Sequence, residues 1–444
     1  MAVVQLIRRK DSLGNIMRIF ASNVFILGLN TLTGIIIARY LGPSGRGEQA
    51  VMIMWPQFLA YMLTLGLPSS IVYYIKKREE NEGSIYMTAM IMSSILGSIA
   101  ILCGLFIIPG RMDGYSEEVV DFAKWALLLA PFSLFGLINN AVLQARDEYS
   151  LFNRIRYIPN IITLILLLGL VLSDQINPFY TSMAYLLPQV PITLWTMYRM
   201  LLIYKKKWKV DYRSAKGLTG YGIRSYGTDL AGTLSSYIDQ VLVVSLLSPS
   251  SLGLYVVALS LSKMLNMIQS AVVSVLFPEA SGLEKRDAIM FTLRVFRISF
   301  ALTLLLGLVA LLLAPYLLPL LYGGEFISAV NVLKILIIQV IISSSAGTLA
   351  QGFMATGKPG RVTILQFMSL GLNAALLVVL VPNMGIMGAA LSLLITNLIN
   401  FLAIMVIYKI ENNLSFSQFY LDKSEMIWMW NKLAKTKKYT SVDQ

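Results

Sequence analysis

The stretch Ala38-Arg39-Tyr40-Leu41-Gly42-Pro43-Ser44-Gly45-Arg46-Gly47-Glu48 closes one long apolar run and opens another. Proline lacks the N–H that the next helical bond needs, and glycine accepts turn backbone at little steric cost, so the first helix ends here. A degenerate copy, Leu247-Ser248-Pro249-Ser250-Ser251-Leu252-Gly253, keeps the pattern Leu-x-Pro-Ser-x-x-Gly about 206 residues downstream. Each copy joins the first two apolar runs of one half of the chain. A second echo pairs Ala145-Arg146-Asp147-Glu148 with Ala355-Thr356-Gly357-Lys358 at an offset of about 210. Two short similarities at nearly one spacing imply an internal duplication.

The runs themselves belong in a bilayer. Of 444 residues 57% are hydrophobic and 13% charged, and the mean hydropathy is +0.70, more apolar surface than a soluble core of this size buries. There is no His, and Cys103 is the single Cys. Imidazole acid–base chemistry, His–metal sites, Cys–His nucleophiles and intrachain disulfides are therefore excluded. Nothing calls for a metal or cofactor. The net charge of +13 sits in short clusters between apolar runs, a pattern of membrane topology and not of nucleic-acid contact. The first run carries Asn23 and Asn30 without a small-residue cleavage site, which reads as a retained helix and not a signal peptide.

Runs close to the twenty or so residues that cross hydrocarbon fall at 15–38, 50–75, 85–108, 119–143, 152–172, 180–203, 222–247, 251–278, 288–313, 326–352, 361–381 and 385–409. Every second connection is basic: Lys76 to Arg78, Arg146 to Arg156, Lys205 to Arg224, Lys285 to Arg297, and Lys358 with Arg361. The other connections hold only Arg39, Arg46, Arg111, Lys124 and Lys334. The positive-inside rule places both termini in the cytoplasm, and Arg39 and Arg46 at the outer interface, where snorkelling is the default. The expected organisation is an N-terminal lobe at 1–204, a basic linker at 205–220, a C-terminal lobe at 221–410 and an interfacial tail at 411–444. Because six is even, both lobes begin on the same side, so the repeats are parallel about an axis along the membrane normal.

A charge in mid-membrane costs at least about 2.5–3.5 kcal/mol and so should face a polar interior. On the seventh span Arg224, Thr228, Gly232, Ser235 and Asp239 recur every three or four residues, with Asp229, Ser236 and Gln240 beside them. On the eighth, Lys263, Asn266, Ser270 and Ser274 form a second stripe flanked by Gln269. Such stripes line one wall of a cavity. Asn23, Asn30, Asn139, Asn140 and Gln144 read first as interhelical hydrogen-bonding residues.

The Ala38-Arg39-Tyr40-Leu41-Gly42-Pro43 turn, the repeated Leu-x-Pro-Ser-x-x-Gly, Leu261-Ser262-Lys263 and Phe277-Pro278 resemble the polysaccharide-transporter branch of the multidrug/oligosaccharidyl-lipid/polysaccharide exporter superfamily. The resemblance implies an all-α membrane protein, two six-helix lobes in a V, that works by alternating access in a bacterial cytoplasmic membrane. It implies a flippase for undecaprenyl-pyrophosphate-linked oligosaccharides, with polysaccharide polymerases and glycosyltransferases as partners. Related lipid II flippases usually carry more helices and arginines in the first; Asn23 and Asn30 stand here instead, which counts against a peptidoglycan precursor. On this reading no residue is catalytic. Lys263 and Arg224 meet the diphosphate, Asn266, Gln269, Ser270, Asn23 and Asn30 meet the sugars, and Asp239 or Asp229 couples an ion gradient. The rival readings are a cation-coupled drug antiporter of the same superfamily, expected to have an acidic aromatic cavity, and a polyprenol-dependent glycosyltransferase, expected to have acids in a sizeable outer loop.

Overall fold

The computed structural model describes residues 2–77, 82–204 and 210–420. The core of the expected basic linker, 205–209, and the aromatic tail beyond Tyr420 lie outside them. Among the described residues the chain is helical throughout, with no strand.

Among the described residues fourteen α-helices carry about twelve spans. The first, α1 (Ala2–Met62), is 61 residues long, roughly 90 Å at the helical rise and about three times the thickness of hydrocarbon. It must fold, and it does so at Gly42, with φ 66° and ψ −175°, a region open in practice to glycine alone. The second span continues through Leu65 and Gly66, both at positive φ, into α2 (Leu67–Lys76). Spans three to six are α3 (Glu82–Ile107), α4 (Glu117–Ala126) with α5 (Ala130–Ala145), α6 (Tyr149–Leu172), and α7 (Pro178–Leu186) with α8 (Gln189–Ile203). The second half follows with α9 (Tyr212–Leu246), α10 (Pro249–Lys263) with α11 (Asn266–Ser281), α12 (Lys285–Tyr322), and α13 (Val330–Ala355) after a short 3-10 turn. The last helix, α14 (Pro359–Asn412), again holds two spans, bent at Gly385 with φ 56°. Among the described residues seven helices are each long and apolar enough to cross a membrane, and α1 and α14 are the two that fold back on a glycine.

Two compact units emerge. The first comprises Met1–Met264, Leu313–Leu336 and Gln366–Leu393; the second comprises Leu265–Leu312, Ile337–Leu365 and Leu394–Gln444. Inside the first unit α1 packs most extensively on α10, so the two copies of the opening turn meet. A Cβ on Gly47 would lie 1.8 Å from the Pro249 carbonyl oxygen, and one on Gly253 would lie 1.8 Å from the Pro43 carbonyl oxygen. The copies differ in backbone at the residue before the proline. Gly42 takes positive φ with Glu325 closing on it, whereas Ser248 stays extended and caps α10 by accepting from the Ser251 N–H.

The second echo also shares geometry. Asp147 (φ 60°) and Gly357 (φ 75°) are both left-handed. The next amide in each case reaches back five residues, from Glu148 to the Leu143 carbonyl at 2.9 Å and from Lys358 to the Phe353 carbonyl at 2.8 Å. That is the helix-ending motif in which a left-handed residue lets the following N–H close the last carbonyls.

The second unit has its own core, centred on Leu293, Phe296, Leu349, Phe353 and Tyr408. The Tyr408 hydroxyl donates to the Leu349 carbonyl at 2.9 Å, satisfying a buried phenol across two helices.

Candidate functional site

A cavity of about 710 Å³ lies within the first unit, with walls from α1, α5, α6, α7, α8, α9 and α10 and from Tyr322 at the end of α12. Helical spacing explains who faces it. Ile26, Leu27, Asn30, Thr31 and Gly34 form one face of α1, and Val256, Val257, Ser260 and Lys263 form one face of α10, each at steps of three and four residues.

Among the described residues three cations line it, Arg46, Arg156 and Lys263, and no Asp or Glu does. None of the three forms a salt bridge among the described residues. Arg46 donates to the Gln49 side-chain oxygen, and its buried Nε has no partner. Arg156 donates to Asn23 Oδ1 at 3.0 Å and lies over the Phe152 ring at 5.0 Å. Lys263 is the last residue of α10 and is exposed to the cavity. Between the cations stand amides, Gln57, Asn140, Asn160, Gln189 and Gln240, and four tyrosines, Tyr61, Tyr185, Tyr237 and Tyr322. Tyr61 and Tyr237 stack at 5.8 Å, and Tyr185 shares a 2.6 Å hydrogen bond with Thr33. Fixed cations with amides and ring faces suit a polyanion that carries hydroxyl-rich groups.

The residues expected from the sequence divide. Lys263 and Asn30 line the cavity. Asn23 stands beside it, holding Arg156. Asp239 is buried at 4% exposure; it accepts from the Tyr255 hydroxyl at 3.5 Å, and its Oδ1 has no partner. Lys263 acts on it electrostatically without forming an ion pair. Arg224 is exposed on α9 and lines no part of this cavity. The side chain of Asp229 lies outside the described residues, as do those of Thr228, Ser235, Ser236 and Ser274.

The stripe expected on one eighth helix is interrupted, since α10 ends at Lys263 and α11 begins at Asn266 in the second unit. No proline or glycine stands at the break. In that unit Asn266 accepts from the Ser344 hydroxyl at 3.3 Å, Ser270 donates to the Asn266 carbonyl at 3.1 Å, and Gln269 packs where Gly347 has no side chain. Asn139 is the interhelical hydrogen bonder its position suggested, accepting from Tyr86 at 2.9 Å and donating to the Thr193 carbonyl at 3.3 Å. Asn140, about 100° further round the helix, faces the cavity instead.

Arg46 corrects the sequence reading. Expected to snorkel at the interface, it is turned inward onto the cavity, while Arg39 is exposed and donates to the Leu320 carbonyl at 3.2 Å. Arg156, counted among topogenic charges, is a second cavity cation. Where the turn after the fourth span meets the ends of its neighbours, Arg146 bridges Glu82 at 2.8 Å and Glu148 at 3.2 Å, Arg199 reaches Glu148 at 3.1 Å, and Lys76 pairs with Asp147 at 2.6 Å. Burial there pushes the Tyr204 phenol up to about 12, against the pull of Arg146. Among the described residues no group of three or more Cys, Asp or Glu is placed to hold a metal.

The profile of the polysaccharide biosynthesis protein family matches residues 36–331, two thirds of the chain and most of the cavity wall. The chain belongs to this family. It is 23% identical over 394 residues to the probable low-salt glycan biosynthesis flippase Agl15 of Haloferax volcanii, a match covering 86% of this chain and 80% of that protein. Its fold is similar to that of the lipid II flippase MurJ in an inward closed conformation, at a TM-score of 0.73 and 16% identity over 88% of this chain and 87% of that one. It is also similar to an inward-facing multidrug resistance MATE transporter of the MOP superfamily, at a TM-score of 0.70 and 16% identity over 86% and 93% of the two chains. The resemblance carried by the repeated turn is borne out, and the protein is a multi-pass, all-α membrane protein with the fold of that superfamily.

Proposed function

We propose that the chain is a flippase that carries a polyprenyl-pyrophosphate-linked oligosaccharide from the cytoplasmic to the outer leaflet for surface polysaccharide assembly. The observation that carries this reading is the charge of the cavity: Arg46, Arg156 and Lys263 line it without a carboxylate. A diphosphate gives these cations the ion-paired partner that none of them has among the described residues, and the amides and tyrosines suit a glycan. Family membership and the similarity to Agl15 support the same substrate class. A drug-cation antiporter calls for an acidic cavity, and this lining contains no acid among the described residues.

In this proposal both termini are cytoplasmic, and the six-helix halves at 1–204 and 221–410 rock about the cavity to alternate its access. No bond in the substrate is broken. Asp239, buried with one oxygen unpartnered, is the coupling group, its charge balanced by a proton or a bound cation as the halves move.

The test is Lys263→Ala in a strain lacking the gene, with surface polysaccharide measured alongside membrane protein level. Removing a mid-membrane charge lowers the insertion cost, so the variant inserts, yet export falls. Lys263→Arg keeps part of the activity because charge survives while geometry changes. Normal export by well-expressed Lys263→Ala and Lys263→Glu overturns the reading of this cavity as the substrate site.

A further inference from the structure

Beside the cationic cavity, still within the first unit, lies a second recess of about 670 Å³. The two share Tyr61, Leu137, Asn140 and Arg156, so they are neighbouring rooms with a common wall. Their linings differ. Beyond the shared residues the recess is walled by Ile19 of α1, Pro68, Ser69 and Val72 of α2, Ala141 and Gln144 of α5 and Phe152 of α6, and Arg156 is its one charged residue among the described residues.

Arg156 therefore stands at a boundary. Its guanidinium lies over the Phe152 ring at 5.0 Å and donates to Asn23 at 3.0 Å, with no carboxylate paired to it among the described residues. Five donors in a rigid fork leave capacity for a diphosphate, while the ring beneath and Ile19, Pro68, Val72 and Ala141 beyond give the recess an apolar side, with Ser69 and Gln144 as its unshared polar residues. Farther along α1 and α6, Phe25 and Tyr157 meet edge to face at 5.8 Å, closing the gap between these helices on that side of Arg156. The recess is left next to the turns that follow the second and fourth spans, the basic turns.

We propose that this recess holds the first isoprene units of the substrate's prenyl chain, with the diphosphate on Arg156 and the glycan in the larger cavity. The assignment rests on the flippase reading and adds to it where the lipid sits. It also gives the loading side: the chain enters from the leaflet bordering the basic turns, which the charge distribution assigns to the cytoplasm.

The test uses the full-length protein in phosphatidylcholine nanodiscs, with geranylgeranyl diphosphate and inorganic pyrophosphate as probes. Burial of the prenyl chain makes the wild type bind the lipid at least about tenfold more tightly than pyrophosphate. Val72→Trp and Ile19→Trp, which fill the recess from two different helices, abolish that preference while pyrophosphate binding persists; Arg156→Gln weakens both ligands. Retention of the full preference in both tryptophan variants overturns the proposal and leaves the flippase reading standing, as does loss of both ligands from those variants. Equal displacement of the prenyl probe by phosphatidylglycerol also overturns it, marking a general lipid site. A wild type that binds neither probe overturns the flippase reading itself.

Discussion

Gly47 and Gly253 face each other backbone to backbone, each occupying the spot where a side chain would strike the carbonyl of the other turn's proline. The relation is reciprocal, as a local two-fold axis requires, and it joins the two copies of the turn that betrayed the duplication in the sequence.

A methyl group at either position has no room. Gly47→Ala or Gly253→Ala forces backbone apart, and overpacking of this kind costs about 1–3 kcal/mol or more. The expected result is a lowered melting temperature in detergent and reduced export for both variants. Gly28→Ala is the control, because nothing lies within 4 Å of a Cβ there. Wild-type melting of Gly47→Ala would show that the turns do not pack this closely.

The fold was legible because its decisive signals are local. Gly42, Pro43 and Pro249 act through backbone geometry within a few residues, and apolar run length does the rest. The cavity was legible only in part. Lys263 and Asn30 stand inside apolar runs, where polarity needs a reason, but Arg46 and Arg156 lie near span ends, where the same charge serves topology and hides its other role. Tyr61 and Tyr237 belong to different halves of the sequence, and their stacking is created by packing that no local pattern reports. Asn266, Gln269 and Ser270 were assigned to the cavity by extending one helix past Lys263; α10 ends there, and their partners lie in the second unit.

The alternation of basic connections sets an expectation for membrane orientation. Reporter fusions after Glu80 and after Lys216 are expected to report cytoplasm, and a fusion after Gly114 the outside. The opposite pattern would reverse the loading side inferred for the prenyl chain.

The repeat also predicts a pair of ion-pair clasps of opposite polarity. Glu148, just past the left-handed turn residue of the first half, meets Arg199 at 3.1 Å, and Lys358, at the matching place in the second half, meets Glu411 at 2.7 Å. Glu411 also pairs with Arg361, so Glu411→Lys sets three cations together. Partly exposed pairs are worth only about 0–1 kcal/mol each, but like-charge repulsion adds to their loss. The variant is expected to melt lower, and Lys358→Glu placed on top of it to recover part of the loss. Failure of the double variant to recover any stability would mean that the clasp is incidental.

Arg39 and Arg46 form a matched experiment on the cavity, since they flank one turn with the same charge and differ in what they face. Arg39 is exposed and held by a carbonyl; Arg46 lines the cavity with its Nε buried and unpartnered. If the cavity binds a diphosphate, loss of one charge-assisted hydrogen bond costs roughly 1.5–3 kcal/mol, about tenfold to a hundredfold in affinity. Arg46→Gln is therefore expected to cut export at least about tenfold at limiting substrate, with Arg46→Lys intermediate because charge remains while the planar fork is lost. Arg39→Gln leaves export within about twofold, because a rim cation in high dielectric contributes little. Surface glycan per unit of membrane-inserted protein is the measurement. Equal effects at the two positions would reduce Arg46 to an interface anchor and remove one of the three cations on which the diphosphate assignment stands.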